Sequence, residues 1–188
     1  MEKLTATIRI EDTEKEKVDN FLASLLLQEG VRARDYFYSA NNPFYLQTTV
    51  QAFNDAGFKV ANMNDIHSLG VYITTAIKCA KKAYAISPKT IENCSIRILE
   101  KETNLFPKTK AVLLMGDTAI KAMNLIAKRN KGKPLIPSGS TYKIRKGEYF
   151  YEQVRVYPSY LQTGKSYLIE KSKREIIAED IKAALDFR

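Results

Sequence analysis

The stretch Pro107–Asn124, PKTKAVLLMGDTAIKAMN, decides the fold. Ala111–Met115 is an unbroken apolar run with no polar face to offer water. A strand made from it must be covered on both sides, as strands of parallel sheets are. Gly116–Asp117 then turns the chain directly into an expected helix, Thr118–Lys128.

The same alternation extends in both directions. Leu4–Ile10 alternates as a strand and ends at the acidic turn Glu11–Asp12. Lys15–Gln28 reads as a helix with Val18, Leu22, Leu25 and Leu26 on one stripe and Gly30 as its stop. Pro43–Ala56 reads as a second helix ended by Gly57, and Val71–Thr74 as a buried strand. Ser87–Pro88 pairs a capping hydroxyl with proline at the first helical position, opening a helix to about Asn104. Asn130–Ser140 is a basic loop. Thr141–Arg145 and Tyr149–Val156 are expected to pair as strands around Lys146–Gly147. Tyr167–Leu185 closes the chain as an amphipathic helix with Ile177, Ile181 and Ala184 inward. The expectation is a single domain over residues 1–188, of class α/β: three layers, α/β/α, around a mainly parallel central sheet. Its functional loops should lie beyond the carboxyl ends of the strands, after Thr74, Met115 and Val156.

Composition narrows the function. Apolar residues are 45% and charged residues 27%, which argues against global disorder. The apolar runs are too short for a membrane span, and the amino terminus has no apolar stretch of signal-peptide type. Two cysteines cannot form a disulfide framework, so a reducing cytoplasm is the expected location. Charge is uneven: residues 1–70 balance at −3 and residues 71–188 at +12. Thr118–Gly147 holds Lys121, Lys128, Arg129, Lys131, Lys133, Lys143, Arg145 and Lys146 and no acid. Such a field attracts polyanions, because each neutralised phosphate releases counterions. A solvated basic face without a partner is the plainer alternative. The Gly116–Ala119 turn lacks the glycine spacing of a dinucleotide fingerprint, and one histidine offers no zinc site.

Three segments at the expected strand ends resemble the uracil-DNA glycosylase superfamily, nearest its iron–sulfur-containing branch. They are VYITTAIKC (Val71–Cys79), PKTKAVLLMGDTAIKAMN, and VRVYPSYL (Val154–Leu161). The resemblance spans roughly residues 58–185 and rests on order and spacing together. It implies a base flipped from the duplex, hydrogen-bond donors aimed at the departing base, and a wedge side chain filling the gap. DNA is the partner it implies.

Residue by residue, the resemblance places Thr75 where the family reads the uracil edge with asparagine, and Tyr157 where it has its catalytic histidine. A hydroxyl cannot make an amide's paired donor–acceptor contact, and a phenol lacks imidazole's pKa. Phe44 falls near the family's base-stacking aromatic, with a core phenylalanine opening a helix as the alternative. Leu161 falls at the wedge. Ser159 either contacts a phosphate or caps its own turn. Tyr160, Lys165, Lys143, Arg145 and Lys146 complete an expected DNA rim. The family's acidic water-binding loop has only a distant echo at Leu26–Val31, where Glu29 reads more simply as a surface charge. Cys79 and Cys94 fall on the last two of four cluster ligands and nothing matches the first two. Two thiolates do not hold a four-iron cluster, so no metal or cofactor is expected and both cysteines read as small buried hydrophobes. His67 reads as a surface residue.

Three readings follow. One is a glycosylase-type hydrolase cleaving the N-glycosidic bond of a damaged base. The second is a catalytically silent nucleic-acid-binding module on the same fold. The third is an enzyme acting on a small nucleoside or nucleotide. The hydrolase needs wedge, phosphate rim and a water-orienting group; the module needs the rim; the third needs only the pocket.

Overall fold

The computed structural model describes residues 46–78, 86–162, 167 and 170–187, together with the backbone of 5–9 and 43–45. The helix expected at Lys15–Gln28, the Leu26–Val31 segment with Glu29, and Cys79 lie outside the described residues. In chain order the elements are β1 (Thr5–Arg9), α1 (Pro43–Asp55), α2 (Met63–Ser68), β2 (Val71–Thr75) and α3 (Pro88–Cys94). A π-helical segment, Ser95–Leu99, joins α3 to α4 (Glu100–Thr103). Then follow β3 (Ala111–Met115), α5 (Asp117–Lys131), α6 (Thr141–Ile144), β4 (Tyr149–Tyr151), β5 (Val154–Ser159) and α7 (Lys171–Asp186).

The strands form one sheet in the order β2-β1-β3-β5-β4. As expected, β2, β3 and β5 run the same way, and β3 pairs with β5 in parallel. The sheet is nevertheless mixed. β1 lies between β2 and β3, antiparallel to both, and β4 is an antiparallel edge. Alternation on β3 divides the core: Ala111, Leu113 and Met115 join Phe53, Ile177 and Ile181, while Leu114 joins Ile91, Ile120 and Ile126. One face therefore carries α1 and α7, the other α3 and α5, giving the three layers.

Local chemistry sets most boundaries. Ser87 Oγ accepts from the Thr90 N–H at 3.1 Å, with Pro88 opening α3. α5 ends at Gly132, whose left-handed backbone (φ 75°) lets its N–H reach the Lys128 carbonyl. α7 begins at Lys171, later than expected, and Tyr167 lies buried ahead of it. Thr141–Arg145 is not a strand. Lys143 and Ile144 N–H groups turn back on the Ser140 carbonyl, and Thr141 and Ile144, three apart, are both buried. That is helical spacing; strand geometry would have put Tyr142 with Ile144. The hairpin is instead β4–β5, turning at Glu152 with φ 58°.

Gly116 is the tightest joint. Its φ is 97°, its N–H donates to the Ser159 carbonyl at 2.9 Å, and a Cβ there would meet Leu161 Cβ at 3.3 Å. Gly116→Ala should therefore destabilise the protein by about 2 kcal/mol. Denaturant unfolding checks this; an unchanged midpoint would contradict it.

Candidate functional site at the carboxyl ends of the strands

Register aligns the three strand ends. Thr5 of β1 pairs with both Thr75 and Met115, and Met115 pairs with Ser159. Thr75, Met115 and Ser159 thus form one row, on the sheet face covered by α1 and α7. Gly116 and Leu161 close it, and Tyr157 sits two residues below Ser159 on the same face. Phe44 lies in the first turn of α1, on that side of the sheet; its side chain is outside the described residues, as is Lys165. Thr75, Tyr157 and Ser159 therefore lie near one another at this end of the sheet.

The hydroxyls of Thr75 and Ser159, however, are engaged within the protein. Thr75 is buried and its Oγ1 donates to the Ile77 carbonyl at 2.9 Å. Tyr157 is half-buried against the core, with the Arg155 guanidinium carbon 4.8 Å from its ring centroid. Ser159 is fully buried and donates to Asp180 Oδ2 of α7 at 2.6 Å. Arg145 follows from the same carboxylate: its Nε lies 3.0 Å and its Nη2 2.6 Å from Asp180 Oδ1, and Nη2 is 3.0 Å from Glu179. Only 12% of the Arg145 side chain is exposed.

Ser159, read as contacting a phosphate or capping its own turn, and Arg145, read as part of the DNA rim, are instead tied to Asp180 in an internal network. Asp180 joins the end of β5, the residue after α6, and α7. Burial pushes the Asp180 carboxyl above its ordinary value, against the opposing hydrogen bonds from Arg145 and Ser159. Burial also works to lower the Arg145 pKa, but the hydrogen bonds and charge of Asp180 and Glu179 outweigh it and leave it raised.

The sequence reading missed a second polar cluster, on the opposite face of β2. Glu102 of α4 accepts from Tyr72 Oη at 2.8 Å and from Thr74 Oγ1 at 2.6 Å. Lys78 Nζ lies 2.5 Å from its other oxygen and also contacts Thr74. Both charged side chains are almost wholly buried. A signal was present: Tyr72 and Thr74 alternate along a strand read as buried, and buried hydroxyls need partners.

The rest of the expected rim divides. Tyr160 packs on the core with Lys173 Nζ 5.7 Å from its ring centroid. Leu161 is half-buried against Gly116. Lys143 and Lys146 are exposed, and Lys146 Nζ stands 5.3 Å from the exposed Tyr142 ring. A small cleft lined by Phe53, Val71, Ala111, Leu113, Ile181, Ala184 and Leu185 lies toward the opposite, amino ends of β2 and β3. Being apolar, it offers a base no hydrogen bonds. Cys94 is buried. His67 is half-buried rather than on the open surface. Among the described residues no helix is long and apolar enough to cross a membrane.

The α/β fold agrees with the comparison to known families. A sequence model of the Uracil DNA glycosylase superfamily matches residues 16–180, and the chain belongs to that superfamily. No curated protein matches it. It is a uracil-DNA-glycosylase-like protein with an α/β fold.

Arg145→Gln would strip Asp180 of its counter-charge and raise its carboxyl further above 3.8. A carboxyl whose folded pKa is raised favours folding below its unfolded pKa, and that contribution is lost as pH rises through the folded value. The variant should lose about 3 kcal/mol near pH 7 and progressively less toward pH 4. Urea unfolding at stepped pH reads this directly. A pH-independent loss would contradict the role given to Asp180.

Proposed function

We propose that this protein binds DNA through the basic surface beside the carboxyl end of β5, and that it excises uracil from duplex DNA little or not at all. The observation that carries the reading is the engagement of the strand-end hydroxyls. The Thr75 Oγ1 proton goes to the Ile77 carbonyl and that of Ser159 to Asp180. Base excision needs donors free to meet charge developing on the departing base. Neither hydroxyl is free in this arrangement, and Tyr157 lies against Arg155 rather than offering an imidazole.

Binding has different requirements. Phosphate contacts need exposed cations, not a shaped pocket. Lys143 and Lys146 are exposed and form no ion pair with a described carboxylate. The Arg145–Asp180–Ser159 network fixes the segment that bears them to β5 and α7. Leu161, packed on Gly116 two residues beyond Ser159, is where the resemblance puts the wedge.

Two measurements test the reading. Anisotropy titration with labelled DNA should show affinity falling steeply with salt. Lys143→Glu with Lys146→Glu should weaken all sequences alike and reduce the slope of log K against log salt by about 2. Absence of binding at micromolar protein and low salt would leave the small-nucleoside reading. Separately, uracil release from duplex DNA should be at least about 100-fold slower than for an active relative. A comparable rate would overturn the silent-site reading, and Thr75→Ala and Tyr157→Phe would then identify the compensating group.

A further inference from the structure

We propose that Tyr142, Lys143, Lys146, Phe150 and Arg155 form a track for single-stranded DNA, with Tyr142 and Phe150 stacking unpaired bases. The inference rests on the DNA-binding reading and specifies the form of DNA.

Tyr142 and Phe150 are the two large apolar side chains most open to solvent among the described residues, at 54% and 47%. Each ring has a cation beside it. Lys146 Nζ is 5.3 Å from the Tyr142 centroid, and the Arg155 guanidinium carbon is 5.1 Å from that of Phe150. At Tyr142 a base can stack on the ring while the exposed Lys146 meets its phosphate; at Phe150 the Arg155 guanidinium, held by backbone carbonyls, backs the ring on which a base stacks.

The backing is rigid, so ordering it on binding costs little. Thr141 and Ile144 anchor α6 beneath Tyr142. Arg155 donates to the carbonyls of Tyr149 at 3.2 Å and Gly147 at 3.3 Å, pinning the turn between the two aromatics. Tyr149 packs so closely on Gly147 that a Cβ there would collide with its ring and hydroxyl. Phe187 supports Phe150 from beside, ring centroids 6.3 Å apart. Between Lys143 and Tyr151 only Glu148 opposes the positive charge.

Duplex DNA would use the lysines but not the rings, because its bases are stacked on one another. Unpaired bases present their faces, so the exposed aromatics favour a single strand. Every base has such a face, and the track should tolerate any sequence.

The chain has no tryptophan, so one introduced at either position is an unobscured reporter. Tyr142→Trp and Phe150→Trp, each titrated with oligo(dT), should show quenched emission that weakens as salt rises, with far less quenching by a hairpin duplex. Tyr142→Ala with Phe150→Ala should reduce oligo(dT) affinity at least about ten-fold and duplex affinity less than about two-fold. Silent tryptophans at oligo(dT) concentrations that saturate anisotropy would overturn the track. Equal losses on both DNA forms would overturn it too, as would a tryptophan response that follows protein concentration without DNA. Duplex binding with silent tryptophans removes this inference alone, whereas no binding of either form removes the DNA reading as well.

Discussion

A carboxylate held away from water organises the carboxyl end of the sheet. Asp180 on α7 is buried, and its oxygens are met by the Ser159 hydroxyl and two nitrogens of Arg145. An isolated buried charge is strongly unfavourable, so these donors must stay in place. β5 therefore ends where it does, α7 keeps its register, and the chain after α6 is drawn against both. Lys143 and Lys146 inherit their position from that constraint without taking part in it.

The same constraint separates binding from chemistry. The hydroxyl that meets Asp180 is committed within the protein, and the guanidinium beside it is drawn inward from a basic segment. What remains exposed is charge and aromatic surface, suited to a flexible polyanion. On the far side of the row, Thr75 is similarly committed, and the Lys78–Glu102 pair stiffens the other face of β2. A site whose polar atoms satisfy one another is stable but gains little from a substrate. Active sites more often leave such groups unsatisfied and strained.

Legibility in the sequence followed the range of the interaction. β3 was readable because an apolar run is a local property, and the Ser87–Pro88 start because a cap lies within one helical turn. The strand at Thr5–Arg9 was visible, but not its place between β2 and β3, since pairing partners distant in sequence leave no local mark. Thr141–Ile144 is too short for its period to show in sequence; its backbone bonds to Ser140 and the joint burial of Thr141 and Ile144 mark it as helical. Arg145 and Asp180 lie 35 residues apart. In sequence, an arginine amid lysines looks the same whether it faces solvent or a carboxylate.

That ambiguity bears on how a basic segment is read for function. In sequence, the cluster from Lys121 to Lys146 reads as one basic stretch, whether it meets a polyanion or only solvent. Folding assigns it different tasks: Arg129 meets Glu100, Lys131 meets Glu152, and Arg145 meets Asp180 and Glu179. Net charge therefore overstates the cations free to meet any polyanion, and these are counted only after the internal pairs are removed. The lysines left exposed on this segment flank an exposed tyrosine at α6, where charge and a flat ring coincide. Charge alone draws in any polyanion, while the ring favours one with unpaired bases. Selectivity here would come from the aromatic surface, and the internal ion pairs keep that surface in position.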